Sequence, residues 1–154
     1  MSKMKTVSLI LFGLLFAWYS LIFIGVPKLL IEGRGSVLGL EGLLELFLIL
    51  ILSGYFAKWK FTDALNLFVS LIWGYMQYTS HWKSLFGAPV SDMQIKRYYQ
   101  YFSGTLRIFP ESSTVIIPDA YHMILDLLLL INICLSVTKI IQCFILKNDI
   151  KIIN

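Results

Sequence analysis

A chain of 154 residues, 58% hydrophobic and only 14% charged, has room for one domain and is too apolar for an ordinary soluble one, where about 45–50% and about 25% are usual. Its net charge of +4 does not indicate nucleic acid. Seven of the thirteen Lys and Arg residues (Lys3, Lys5, Lys58, Lys60, Lys139, Lys147 and Lys151) flank apolar runs, where positive charges set membrane topology.

The apolar runs predict helices, because lipid leaves the unpaired backbone of an open sheet unsatisfied. The first, about residues 7–26, follows Lys3 and Lys5. It is longer than a signal-peptide core, and Trp18-Tyr19-Ser20 offers no small-x-small cleavage site. A turn at Gly33-Arg34-Gly35-Ser36 leads to a second helix over about 37–57, closed by Lys58-Trp59-Lys60. Gly35, Gly39 and Gly42 would let that helix approach a neighbour closely. A third helix spans about 62–81, capped by Thr62 or Asp63, with Tyr75, Tyr78 and Trp82 as an aromatic belt.

Residues 83–117 form an extramembrane segment. Ser91 and Gln94 fit a capping box. Ile95, Tyr98, Tyr99, Phe102 and Leu106 follow at helical spacing, ended by Pro110. This amphipathic helix either lies on the membrane surface or covers the mouth of the bundle. A fourth spanning helix covers about 119–146, with Pro118 and Asp119 in its first turn. Its Cys134 and Cys143 are separated by about 13 Å of rise, too far for a disulfide with each other. The expected fold is therefore all-α: one domain, 1–154, an integral membrane four-helix bundle with an extra amphipathic helix between helices 3 and 4. Four crossings put both termini on one side, and the positive-inside rule makes it the cytoplasmic side of a cell membrane.

Ionisable groups inside a bilayer cost about 2.5–3.5 kcal/mol each at its centre, so each one needs a reason. Glu41 and Glu45 share a face of the second helix. His81 ends the third. Asp119, His122 and Asp126 stack on one face at the start of the fourth. All six are expected near the outer surface. Asn66, Ser70, Trp73, Gln77 and His81 recur every three or four residues and form a stripe that should face the bundle. A polar pocket open to the outer side follows, with Gln77 and Arg107 among its candidate binding residues. Three uses stay open. The groups could hold the helices in register, run proton transfer, or ligate a metal through His81, His122, Asp126 and Glu45. Their spacing matches no specific metal motif, and no cofactor is named by the sequence. Arg107 reads as a solvated loop charge or a contact to a carboxylate or headgroup. The Tyr98–Phe102 aromatics read as an interfacial face or a platform for a flat ligand.

Gly25-Val26-Pro27-Lys28-Leu29 closes the first helix, Gly42-Leu43-Leu44-Glu45-Leu46 opens the second with Gly54 following, and His81 ends the third. On these residues the chain, over about 8–82, resembles the DoxX-like family of small four-helix membrane proteins. The resemblance implies Glu45 as a functional residue and a role as an accessory subunit of a membrane redox or stress-response system. A membrane protein partner or a homo-oligomer is expected alongside the bilayer. A second expectation is a membrane enzyme or ligand-binding protein acting on a lipid-soluble substrate, with Glu45 or Asp126 as acid/base and His122 orienting or ligating. A small transporter is a third.

Overall fold

The computed structural model describes residues 3–29 and 37–153, with side chains described for 4–29 and 37–145. Its elements are α1 (Lys3–Ile24), α2 (Leu40–Ala57), α3 (Thr62–Gln77) continued by a π-helical turn (Tyr78–Trp82), α4 (Asp92–Tyr101) and α5 (Ala120–Ile153). No strand occurs among the described residues. Three helical stretches are long and apolar enough to cross a membrane: Met4–Ile24, Leu40–Ala57 and Ala120–Ile145. The turn expected at Gly33–Ser36 lies outside the described residues.

Hydrogen bonds between side chains and neighbouring helices fix the arrangement. Ser20 Oγ donates to Glu45 Oε1 at one end of the α1–α2 pair, and the Phe12 and Tyr55 rings meet near the other. Trp18 Nε1 donates to Tyr121 O, and further along Asn132 Nδ2 donates to Leu11 O, so α1 and α5 run antiparallel. His81 stacks on His122 at one end of the α3–α5 pair, and Lys139 binds Asp63 at the other. Four helices thus alternate in direction around one core of Phe12, Leu15, Tyr19, Leu48, Ile51, Val69, Trp73, Tyr121, Leu125 and Leu129.

Several boundaries differ from expectation for local reasons. α1 ends two residues early because Gly25 takes φ +72°, the left-handed conformation that terminates helices. α2 starts at Leu40 and ends on Lys58, itself left-handed, whose N–H reaches back to Tyr55 O. Thr62 does not cap α3; its hydroxyl donates to Trp59 O instead. The expected third helix stops being α-helical at Gln77, and the Lys83 N–H to Tyr78 O bond (2.9 Å) is the i→i−5 bond of a π turn. α4 ends at Tyr101, well before Pro110, so Leu106 is not on it. Instead Leu106 N–H donates to Lys28 O and Leu106 O accepts from Ala120 N–H (2.8 Å). The segment between α4 and α5 is thereby tied to the end of α1 and the start of α5 together.

Two charges sit where the sequence did not put them. Lys139 is not a flanking topological charge. It lies on the inner face of α5, bound to Asp63 and over the Tyr55 ring, and α5 continues past it to Ile153. Asp63 Oδ1 also accepts from Tyr55 OH, and Asn66 Nδ2 joins Tyr55 to Ser136. Arg107 is not a solvated charge either: it donates to Phe102 O and Ile117 O, pairs with Glu111 and packs over the Tyr99 ring.

Glycine serves helix approach at a position the pattern did not single out. A Cβ on Gly54 would lie 2.7 Å from Thr62 Oγ1 and 2.9 Å from Trp59 Cε3, whereas a Cβ on Gly42 would meet the backbone of Val37, in its own helix's lead-in. Gly54→Leu is therefore expected to open the α2–α3 hairpin and cost about 1–3 kcal/mol. Thermal unfolding in mild detergent measures it; an unchanged midpoint would mean that the hairpin absorbs the side chain.

Candidate functional site

The site is built where α3, α4 and α5 converge. Asp119 directly precedes α5, and its Oδ1 accepts from the backbone N–H of His122 (3.0 Å), the geometry of a helix cap. The same oxygen accepts from His122 Nδ1 at 2.7 Å. One carboxylate oxygen therefore starts the helix and orients its histidine. With Nδ1–H given to Asp119, neutral His122 has Nε2 as a free acceptor.

The π turn supplies the opposite wall. Consecutive residues on an α-helix diverge by about 100°, yet His81 and Trp82 both reach α5. The His81 ring stacks on His122 with centroids 4.0 Å apart and planes 27° apart. Trp82 Nε1 donates to Asp126 Oδ2 at 2.5 Å. The wider turn lets two neighbouring side chains face one partner helix, and π turns recur at functional sites.

α4 forms the cover. The capping box is present, with Gln94 N–H on Ser91 Oγ and Ser91 N–H on Gln94 Oε1. The apolar face of the helix packs within the chain: Ile95 and Tyr99 lie against Ile116 and Val90. Tyr99 OH stitches this packing by accepting from Ser112 N–H and Ile117 N–H and donating to Val115 O. Anchored in this way, α4 presents Tyr98 OH to His81 Nδ1 at 2.7 Å. Phe102 stands against both histidine rings, with centroids 5.9 and 5.1 Å away. The helix thus packs against the ends of α3 and α5 that carry the histidines.

The electrostatics follow from burial and these contacts. Burial, and then the Asp119 charge, push the Tyr98 hydroxyl well above the ordinary phenol range. Burial alone would raise the Asp119 carboxyl, but the hydrogen bonds and charge from His122 outweigh it and hold the group below the ordinary carboxylate value. The Thr105 hydroxyl, which donates to Phe102 O, also lowers the Asp119 carboxyl through hydrogen bonding. Asp119 is fully buried with Oδ2 lacking a hydrogen-bond partner among the described residues; Asp126 Oδ1 and Gln77 Oε1 are likewise buried and unpartnered.

Of the sequence-derived candidates, His81, Asp119, His122 and Asp126 come together. Gln77 lies one turn inward from His81, and the α3–α5 register sets it level with Asp126. Arg107 braces the cover without giving its guanidinium to the histidines. Glu41 and Glu45 lie on the other side of Tyr121. Glu41 offers its carbonyl to Tyr19 OH, and Glu45 is bonded to Ser20 with Oε2 buried and unpartnered. Glu45 therefore does not join the histidine pair. Among the described residues no group of three or more His, Cys, Asp or Glu could hold a metal ion. Sequence reasoning missed Trp82 and Tyr121 as site residues. Trp82 adjoins His81 in sequence, but only the π turn makes that adjacency a shared face. Tyr121 adjoins His122, separates the two carboxylate groups, stacks on Trp18 and donates to Tyr19 O.

No protein-family model, no curated protein and no solved structure matches this chain.

Proposed function

We propose that this chain is a small multi-pass membrane protein that crosses the bilayer four times and binds the polar head of a lipid-soluble ligand at the His81–His122 site. The three apolar helices are joined in this reading by α3. Its 16 residues reach about 24 Å, short of a hydrocarbon layer of about 30 Å. With the π turn the element runs from Thr62 to Trp82, and it contacts α5 from His122 to Lys139, a rise of about 25 Å. Both termini then share one side; with Lys139 bound inside the bundle, six Lys or Arg residues stand on each side, and charge favours neither as cytoplasmic.

One observation carries the functional reading: two imidazoles are stacked under an aromatic cover, each held by Nδ1, and beside them Asp119 Oδ2 and Asp126 Oδ1 are buried with no hydrogen-bond partner among the described residues. A purely structural cluster satisfies its buried polar atoms, whereas a binding site keeps some free for its ligand. In this reading His122, oriented by Asp119, exchanges a proton with the ligand, and His81 and Tyr98 bind beside it. Native mass spectrometry of the protein in nanodiscs tests it. A co-extracted small molecule is expected on the wild type and absent from His81→Ala and His122→Ala chains that remain folded at the temperature of the measurement. Equal occupancy in all three would make the pair structural.

Glu45 favours a second reading, the DoxX-like accessory subunit of a membrane redox or stress-response system. It lies inside the stretch that carries that resemblance, at the α1–α2 seam, with one buried oxygen unpartnered. Gentle co-purification with a stoichiometric membrane partner, lost on Glu45→Gln, would support it.

A further inference from the structure

The chemistry of a matching ligand can be read from what the site lacks. Hydrogen-bond acceptors outnumber donors there. Asp119 Oδ1 takes both N–H groups of His122, and Oδ2 is buried with no partner. Asp126 Oδ2 takes the Trp82 indole, and Oδ1 is again buried with no partner.

Charge is unbalanced in the same sense. Two imidazolium rings stacked 4.0 Å apart would repel, so the histidine pair offers at most one positive charge against two carboxylates. The guanidinium of Arg107 is committed to Phe102 O, Ile117 O and Glu111. Lys139 is at the far end of the bundle on Asp63. A carboxylate removed from water without a compensating charge or donor is costly, so a cation with N–H groups is the ligand that these oxygens would hold best.

The walls narrow the kind of cation. Tyr98, Phe102 and Trp82 stand with the two imidazoles around the carboxylates. A bare divalent ion gains little from such walls, and no set of three ligands is gathered for one among the described residues. An organic ammonium gains on both counts, because its charge sits against aromatic faces while its N–H groups meet the oxygens. Resting on the ligand-site reading above, we propose that the site takes the protonated amine headgroup of an amphiphile, with Asp126 as counter-ion and Phe102 and Trp82 as walls, and with the apolar chain left in the lipid.

Equilibrium binding of labelled dodecylamine and dodecanol to the protein in phosphatidylcholine nanodiscs, each corrected by empty discs, tests this. One saturable amine site per chain is expected, with dodecanol at least about tenfold weaker, the scale of one charge-assisted hydrogen bond. Asp126→Asn, nearly isosteric, should weaken the amine about tenfold and leave dodecanol unchanged. Phe102→Leu, which alters only the cover, should weaken the amine several-fold. Amine binding untouched by Asp126→Asn, or absent altogether, overturns the proposal. Equal binding of both probes, lost together in His122→Ala, overturns the inference of charge while the ligand-site reading stands. No saturable binding of either probe, together with unliganded wild-type protein in native mass spectrometry, removes both.

Discussion

Lys139→Met is expected to destabilise the protein by about 3–5 kcal/mol, and adding Asp63→Asn to the same chain is expected to recover most of that loss. The pair lies at the end of the α3–α5 interface opposite the histidines, with side-chain exposures of 9% for Lys139 and 29% for Asp63. Removing one partner leaves a half-buried charge with no counter-charge, and that penalty, rather than the attraction itself, dominates such losses. In the double variant no charge is stranded, and the amide oxygen supplied by Asp63→Asn can still accept from Tyr55 OH as the carboxylate does now. Reversible unfolding of wild type, both single variants and the double variant in the same detergent gives the cycle. Equal losses in Lys139→Met and the double variant would show that the pair contributes packing and hydrogen bonding but no charge interaction.

The second large effect is expected at Asp119. Asp119→Ala removes a helix cap, usually about 0.5–2 kcal/mol, and a charge-assisted hydrogen bond, about 1.5–3 kcal/mol. A loss of about 2–4 kcal/mol should follow, allowing for their sharing one oxygen. Asp119→Asn keeps an acceptor for the His122 N–H and should cost much less. The pH dependence has a definite sign. The folded protein holds this carboxyl below its ordinary value of 3.8, so its contribution is complete above that pH and is lost as pH falls through the depressed value. Wild type should therefore show an acid limb in unfolding midpoint that Asp119→Asn lacks. Matching acid limbs would place the titrating group elsewhere.

Periodicity made the long elements legible. Asn66, Ser70, Trp73 and His81 are indeed buried against the bundle, and the Asp119, His122 and Asp126 spacing gathers those residues on one face of α5. The capping box at Ser91 and Gln94 was equally plain, because two side chains at fixed spacing satisfy two backbone groups. Contacts set by tertiary packing were not legible. Nothing in Tyr78-Thr79-Ser80-His81-Trp82 distinguishes a π turn from one more α turn, yet that turn decides which way His81 and Trp82 face. Lys139 reads as a flanking charge because its neighbours are apolar on both sides; only Asp63, across the bundle, explains it. Helix rotation also separates Glu45 from the histidines. A shared depth in the membrane is a statement about height, and Tyr121 fills the space between the two groups.

The bond pair at Leu106 gives the cover a mechanical character. Its N–H holds the end of α1 through Lys28, and its carbonyl holds the start of α5 through Ala120. Residues distant in sequence are thus pinned at a single pivot, just after helix α4, which carries Tyr98 and has Phe102 as its C-cap. Lifting the cover from this side must either break that pivot or drag the ends of two helices with it. The other side ends at Gly87, whose φ of +87° closes a turn in which Gly87 N–H reaches Ser84 O and Ala88 N–H reaches Lys83 O. Ser84, in the same turn, binds both the N–H and the carbonyl of Ile116, so the cover is moored at both ends and cannot tilt without carrying the ends of α1, α5 and the π turn with it.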